Sequence, residues 1–284
     1  MFKMVDPRHL NIKDCTGLTH LPDYIGLLKN LQTLPPFIVG QRIENGLFQL
    51  NSLRLQGELK MEHLENVSLY NLPRHFDWRK RSFLSDTEQP FLNGGKLYSL
   101  ALSWGDINAS KLNRYMPGQL RQTENDRSIS AETIIDKLRP NNDIRRLLIN
   151  GYQGTRFLNW MNLNTLGDLT RLELFNCPRC ESLPTVGESP ALKVLHIQGM
   201  DSVLRISREF YGEGRRPFSS LNELSLRDFP NFQSWESIDQ MEAFTCLNRL
   251  IIVNCPRLTN MQWFSSLRYL EMRNCNPLML RSAA

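Results

Sequence analysis

The stretch RLELFNCPRCESLP, Arg171 to Pro184, places Cys177 and Cys180 at the C-x-x-C spacing used by tetrahedral zinc sites and by dithiol redox centres. Three other segments carry the first cysteine without the second: HLNIKDCTGLTHLP with Cys15, RLIIVNCPRLTNM with Cys255 and YLEMRNCNPLML with Cys275. Leu18, Leu258 and Leu278 take the place of Cys180. Metal ligation and dithiol chemistry need both sulfurs. A slot that accepts either Cys or Leu asks for an apolar side chain of modest size that can be buried. The cysteines therefore read as structural, set at a turn where a thiol can donate to a backbone carbonyl that would otherwise be buried unpaired.

Other reactive groups do not assemble into a site. No Walker A string is present, since NGGK at Asn93 to Lys96 lacks the upstream glycine, and GYQGT from Gly151 reads as a turn. Neither G-x-S-x-G nor H-E-x-x-H occurs. His9, His20, His63, His75 and His196 are scattered, with no cysteine or acid at ligand spacing, and Asp126 and Glu132 fall in a polar stretch. These observations predict a protein that is not an enzyme and holds no metal. The net charge of +5 and pI near 8.9 suit an acidic protein partner and fall short of a nucleic-acid footprint. No apolar run reaches membrane-spanning length, no signal peptide opens the chain, and six cysteines do not form a disulfide framework. A reducing, cytoplasmic setting is expected.

The elements that must position these residues repeat. L-x-x-L-x-L-x-x-(N/C) fits Leu97, Leu100 and Leu102 with Trp104; Ile144, Leu147 and Ile149 with Tyr152; and Leu169, Leu172 and Leu174 with Cys177. It continues through Leu192, Leu195 and Ile197 with Met200; Leu221, Leu224 and Leu226 with Phe229; Leu247, Leu250 and Ile252 with Cys255; and Leu267, Leu270 and Met272 with Cys275. Weaker copies stand at Leu10–Cys15, Leu31–Phe37 and Leu59–Asn66, making about ten units. From Leu147 the middle leucines follow at intervals of 25, 23, 29, 26 and 20 residues, close to a leucine-rich-repeat period. Apolar residues at i and i+2 share one face of a short strand, so each unit buries its leucines only by stacking on its neighbours. The predicted fold is an α/β leucine-rich-repeat solenoid over residues 1–284. It would be a curved horseshoe with a parallel sheet on the concave face and irregular, 3₁₀ or helical backbone on the convex side. Asn71 to Gly95 diverges from the pattern. Residues 104–133 read as a polar insertion, and AETIIDKLRP (Ala131 to Pro140) reads as a helix stopped by Pro140.

If the leucines point inward, the intervening positions line the concave face. They supply Arg145, Arg146, Arg171, Phe175, Lys193, His196, Arg227, Arg249, Arg268, Tyr269 and Arg273, with Glu173, Glu223, Asp228, Ile251, Val253 and Glu271 among them. Arginines interleaved with aromatic and apolar groups have the composition of a protein interface. The alternative is a solvated face whose charges keep the chain soluble.

Six segments in order, LPDYIGLLKNLQTLPPFIVG, LQGELKMEHLENV, LYSLALSWG, IRRLLINGYQGTRFLNWM, LTRLELFNCPRCESLPTVGESPALKVLHIQGMDSV and REFYGEG, resemble the leucine-rich-repeat region of plant coiled-coil NB-ARC disease-resistance proteins. The resemblance covers nearly the whole chain. It implies a cytoplasmic immune receptor whose repeats sense a pathogen effector or a modified host protein and hold the nucleotide-binding module inactive. The family's coiled coil and NB-ARC domain, which would bind ADP or ATP, are absent from these residues, so no cofactor is expected here and the chain reads as a fragment. A substrate-binding adaptor for ubiquitin ligation is the second reading, though no F-box precedes the repeats. A secreted inhibitor would carry L-x-G-x-I-P repeats, which are missing.

Overall fold

The computed structural model describes residues 7–12, 18–68, 92, 95–105, 130–157, 159–161, 166–236, 242–262 and 264–277. Cys15, Leu278, nearly all of the divergent stretch 71–95 and most of the insertion 104–133 lie outside the described residues. The chain divides into two compact units, Met1–Asn141 and Asn142–Ala284. No helix among the described residues is long and apolar enough to cross a membrane.

In the first unit, strands β1 (Phe37–Ile38), β2 (Gln56–Glu62) and β3 (Lys96–Ser103) pair in parallel in that order. The repeat Leu31–Phe37 forms less strand than its spacing predicts. Its ladder opens with Gln56 N–H donating to the Gln32 carbonyl (2.7 Å) and resumes at Phe37, opposite Met61. Between them stand Pro35 and Pro36, which have no N–H to give a ladder. In β3 the register skips Tyr98, from Gly57↔Leu97 to Glu58↔Ser99. That bulge lets Leu97 and Leu100, three residues apart, both be buried from one strand. Leu18, expected in the buried slot of Cys180, is 38% exposed. In the first repeat the slot is thus not a core position. The helix Ala131–Lys137 forms where the periodicity places it. Ser130 caps it, its Oγ accepting from Thr133 N–H (3.2 Å), and Ile134, Ile135 and Leu138 are buried.

The second unit stacks β4 (Arg146–Asn150), β5 (Arg171–Phe175), β6 (Val194–Gln198), β8 (Glu223–Arg227), β10 (Arg249–Val253) and β11 (Tyr269–Arg273) in parallel. The order is β4-β5-β6-β8-β10-β11. Each strand has five residues and pairs without slippage, so equivalent positions form continuous rows across the sheet. The inner rows are Leu147, Leu172, Leu195, Leu224 and Leu250, and Ile149, Leu174, Ile197, Leu226 and Ile252, all buried. Burying each such side chain contributes about 1.5–3 kcal/mol. On β11, which pairs with β10 alone among the described strands, Leu270 is 43% exposed although its register partner Leu250 is fully buried. β7 (Arg205–Ile206) and β9 (Ser234–Trp235) form a separate parallel pair. Nearby residues supply an aromatic core: Phe218 stacks on Phe244, and Trp235 meets Phe244 and Phe264 edge-on.

A regularity governs how each strand ends. The residue after the strand is Gly151, Asn176, Gly199, Asp228, Asn254 or Asn274, and every one has a positive φ between 52° and 75°. Left-handed backbone is costly for L-residues except Gly, Asn and Asp, so this turn selects those three types. The next residue then drops into the core: Tyr152, Cys177, Met200, Phe229 and Cys255 are all buried. The cysteine thiols donate as the sequence predicts. Cys177 Sγ reaches the Phe175 carbonyl (3.4 Å), Cys180 Sγ that of Gly154 (3.3 Å) and Cys255 Sγ that of Val253 (3.6 Å). Cys177 and Cys180 thus point at different carbonyls, and both are fully buried.

Candidate protein-interaction face

The outward positions of the six-stranded sheet form three rows fixed by the strand register. Nearest the strand starts run Arg146, Arg171, Val194, Glu223, Arg249 and Tyr269. Along the middle run Leu148, Glu173, His196, Ser225, Ile251 and Glu271. At the strand ends run Asn150, Phe175, Gln198, Arg227, Val253 and Arg273. Eight of the eleven residues expected to line a binding face stand in these rows.

Arg145, Lys193 and Arg268 do not. Each precedes its strand, exposed at the sheet rim, and Arg145 and Lys193 serve the turn with their carbonyls. Arg145 O accepts from Thr170 and Arg171 N–H (2.9 and 3.0 Å), and Lys193 O from Asn222 and Glu223 N–H (2.9 and 3.0 Å). The face proper is accordingly mixed in charge, with five arginines set against three glutamates. Ile251, expected as an available apolar contact, is only 4% exposed, in register between Ser225 and Glu271. Leu148, Asn150, Val194, Gln198 and Ser225 complete the rows. Strict counting by twos from each buried leucine would have found them.

At the centre the face is a closed polar network. Arg171 Nη2 donates to Glu173 Oε1 (2.9 Å) and lies 3.3 Å from His196 Nδ1, while His196 Nε2 lies 2.8 Å from Glu223 Oε1. His196 Nε2 faces Glu223 while Nδ1 also lies 3.7 Å from Glu173 Oε1. Glu173 is 22% exposed. Burial works to raise its carboxyl, but contacts from His196 and Arg171, with their charge, outweigh it and bring the pKa down to about 2. The two glutamates address opposite nitrogens of one ring and do not converge on a common point. Among the described residues no three His, Cys, Asp or Glu side chains gather as a metal site.

Toward β11 the face changes character. The Arg249 guanidinium lies 4.3 Å over the Tyr269 ring, Arg227 Nε donates to Ser225 Oγ (3.1 Å), and Arg273 Nε pairs with Glu271 (3.0 Å). Behind them the strand-end turns are tied by side-chain amides. Asn176 Nδ2 donates to Asn150 Oδ1 (3.1 Å), Gln198 Nε2 to Asp228 Oδ2 (2.7 Å) and Asn274 Nδ2 to Asn254 Oδ1 (2.9 Å), with Asn254 also donating to Asp228. Gly199 interrupts this ladder because a Cβ there would sit 2.9 Å from Asn176 Oδ1. Arg171, Arg227, Arg249 and Arg273 thus each contact a neighbour on the face.

Comparison with known proteins agrees with this architecture. Residues 47–200 match the family described as R13L1/DRL21 LRRs. Disease resistance RPP13-like protein 1 of Arabidopsis thaliana is 32% identical over 186 residues, 62% of this chain and 17% of that protein. Two proteins of Solanum bulbocastanum align more fully: disease resistance protein RGA1 at 27% identity over 94% of the chain, and RGA2 at 28% over 86%. The chain spans about a sixth to a quarter of the length of these relatives. With the repeat register, the leucine rows and the left-handed turn column all in place, the chain belongs to the R13L1/DRL21 leucine-rich-repeat family, the repeat region of plant NLR disease-resistance proteins.

Proposed function

We propose that this chain is the protein-recognition module of a plant intracellular immune receptor, acting in the cytoplasm. It reads a pathogen effector or a modified host protein on the outward rows of β4 to β11 and restrains the receptor's nucleotide-binding module until then. The observation that carries the reading is the contrast in those rows. Leucine and isoleucine repeat on the inner side of β4, β5, β6, β8 and β10, while the outer side holds a different set on each. Arg227 and Arg273 flank Val253 in the strand-end row and Arg249 lies over Tyr269 at the strand starts, matching a partner that offers carboxylates around apolar contacts. Nucleotide chemistry belongs to the NB-ARC module and is assigned to no residue of this chain.

The test compares two triple reversals of equal charge, R227E/R249E/R273E on the face and R145E/K193E/R268E on the rim, by proximity labelling in leaf cells. Proteins labelled by the wild type should be lost with the face variant and kept with the rim variant. Identical labelling by all three chains would sink the face as the recognition surface.

A further inference from the structure

Strands β10 and β11 bring two thiols together that the recognition reading does not use. The pair Val253↔Arg273 ends the strand register, and Asn254 N–H donating to the Arg273 carbonyl (2.9 Å) carries it one residue further. Cys255 and Cys275 follow at equivalent positions of adjacent repeats. Cys275 Sγ reaches across to the Ile252 carbonyl of β10 (3.5 Å) and to the Arg273 carbonyl of its own strand (3.3 Å), while Cys255 Sγ reaches the Val253 carbonyl (3.6 Å). Cys255 is buried, whereas Cys275 is partly open to solvent on the strand whose Leu270 is also uncovered. Cys177 and Cys180, the sequence's obvious pair, differ in that both are sealed from solvent.

We propose that Cys275 and Cys255 are a peroxide-reactive dithiol, with Cys275 the attacking and Cys255 the resolving thiol. The Cys275 thiolate attacks one oxygen of hydrogen peroxide, the O–O bond breaks, and hydroxide leaves with the electron pair. Cys275 is then a sulfenic acid. Cys255 sulfur attacks the Cys275 sulfur, the S–O bond breaks, and the departing hydroxide takes the Cys255 proton as water. Two thiols are oxidised to one disulfide as one peroxide is reduced to two waters, and β11 becomes covalently tied to β10. The electrostatics agree with this order. The Cys255 thiol beside it lowers Cys275 to about 6 against the effect of burial, with backbone hydrogen bonds at Cys255 and Arg273 adding to the shift. The nearby Cys275, then burial, pushes Cys255 up, so it waits as a thiol until its partner is oxidised.

The experiment treats the reduced whole chain with a few equivalents of hydrogen peroxide, quenches with iodoacetamide and maps all cysteines by mass spectrometry after trypsin. The expected product is a linked pair of peptides carrying Cys255 and Cys275, two hydrogens lighter than the separate thiols and released by dithiothreitol. Cys177 and Cys180 should stay alkylatable only after denaturation. In C255A, Cys275 should stop at a sulfenic acid that dimedone traps. Cys275 carried to sulfinic acid while Cys255 is still a thiol would overturn the assignment. So would both remaining thiols at a peroxide dose that oxidises the exposed Cys246.

Discussion

The two sides of the six-stranded sheet share one backbone and one register, yet they follow opposite rules. On the inner side the same kind of residue recurs at every strand, because a stacked leucine is buried only if its neighbours are too. On the outer side nothing in the stacking asks for sameness. Arg146, Arg171, Val194, Glu223, Arg249 and Tyr269 occupy equivalent positions and have little in common. The difference teaches that stacking dictates the residues of one face and leaves the other free to vary. The outer face is still not passive, because Glu173 sits in a network that stabilises the sheet from the outward side.

The contrast breaks most visibly from the inner side. Leu224→Ala removes a fully buried side chain from the middle of a row. It should lower unfolding free energy in urea by about 3–4 kcal/mol; a loss under about 1 kcal/mol would mean the rows are not the continuous core described. Next in size is Glu173→Gln. The folded carboxyl titrates at about 2 instead of its ordinary 4.5. Its stabilisation is therefore present above pH 4.5 and lost as the pH falls toward 2. At neutral pH the variant should be less stable by on the order of 2–3 kcal/mol. The gap to wild type should close between pH 4.5 and 2, and a gap independent of pH would contradict the network.

A smaller effect separates backbone from side chain at the strand-end turn. Asn254→Ala puts a residue that lacks asparagine's tolerance of left-handed backbone at φ 57° and removes the amide ladder, costing about 1–2 kcal/mol. Asn254→Gly keeps the turn and loses only the ladder, so thermal melts should place it between wild type and the alanine variant. Equal melting of the two variants would show that the turn conformation contributes nothing.

The inner rows were legible in the sequence because burial imposes a period that a reader can count. The helix Ala131–Lys137 was legible for the same reason, with Ser130 and Pro140 marking its ends. The cysteine slot was legible by alignment of repeats, and it held at Cys177, Cys180, Cys255 and Leu258, only in part at Cys275 and not at Leu18. Less visible was the Gly/Asn/Asp column one residue ahead of it, present in N-G-Y, F-N-C, Q-G-M, R-D-F and V-N-C. That column is a backbone requirement that leaves no hydrophobic trace. On the outer face, composition named the arginines but could not separate the rim residues Arg145, Lys193 and Arg268 from the rows. Which residue precedes a strand is fixed by hydrogen bonds such as Arg171 N–H to Arg145 O, and one residue of uncertainty there reverses the side-chain direction. The Arg171–Glu173–His196–Glu223 network was invisible for a further reason. Three strands, 23 to 29 residues apart in sequence, must be in register before those groups meet.

The central claim is that the outward arginines can be reversed without removing the fold, and urea unfolding of R227E/R249E/R273E tests it most directly. The three arginines contribute one ring contact, one hydrogen bond to serine and one exposed ion pair. The variant should unfold cooperatively with a loss of about 1 kcal/mol, well under that of the single Leu224→Ala. A loss as large as that of Leu224→Ala would contradict the account, because these three arginines would then be part of what holds the sheet together.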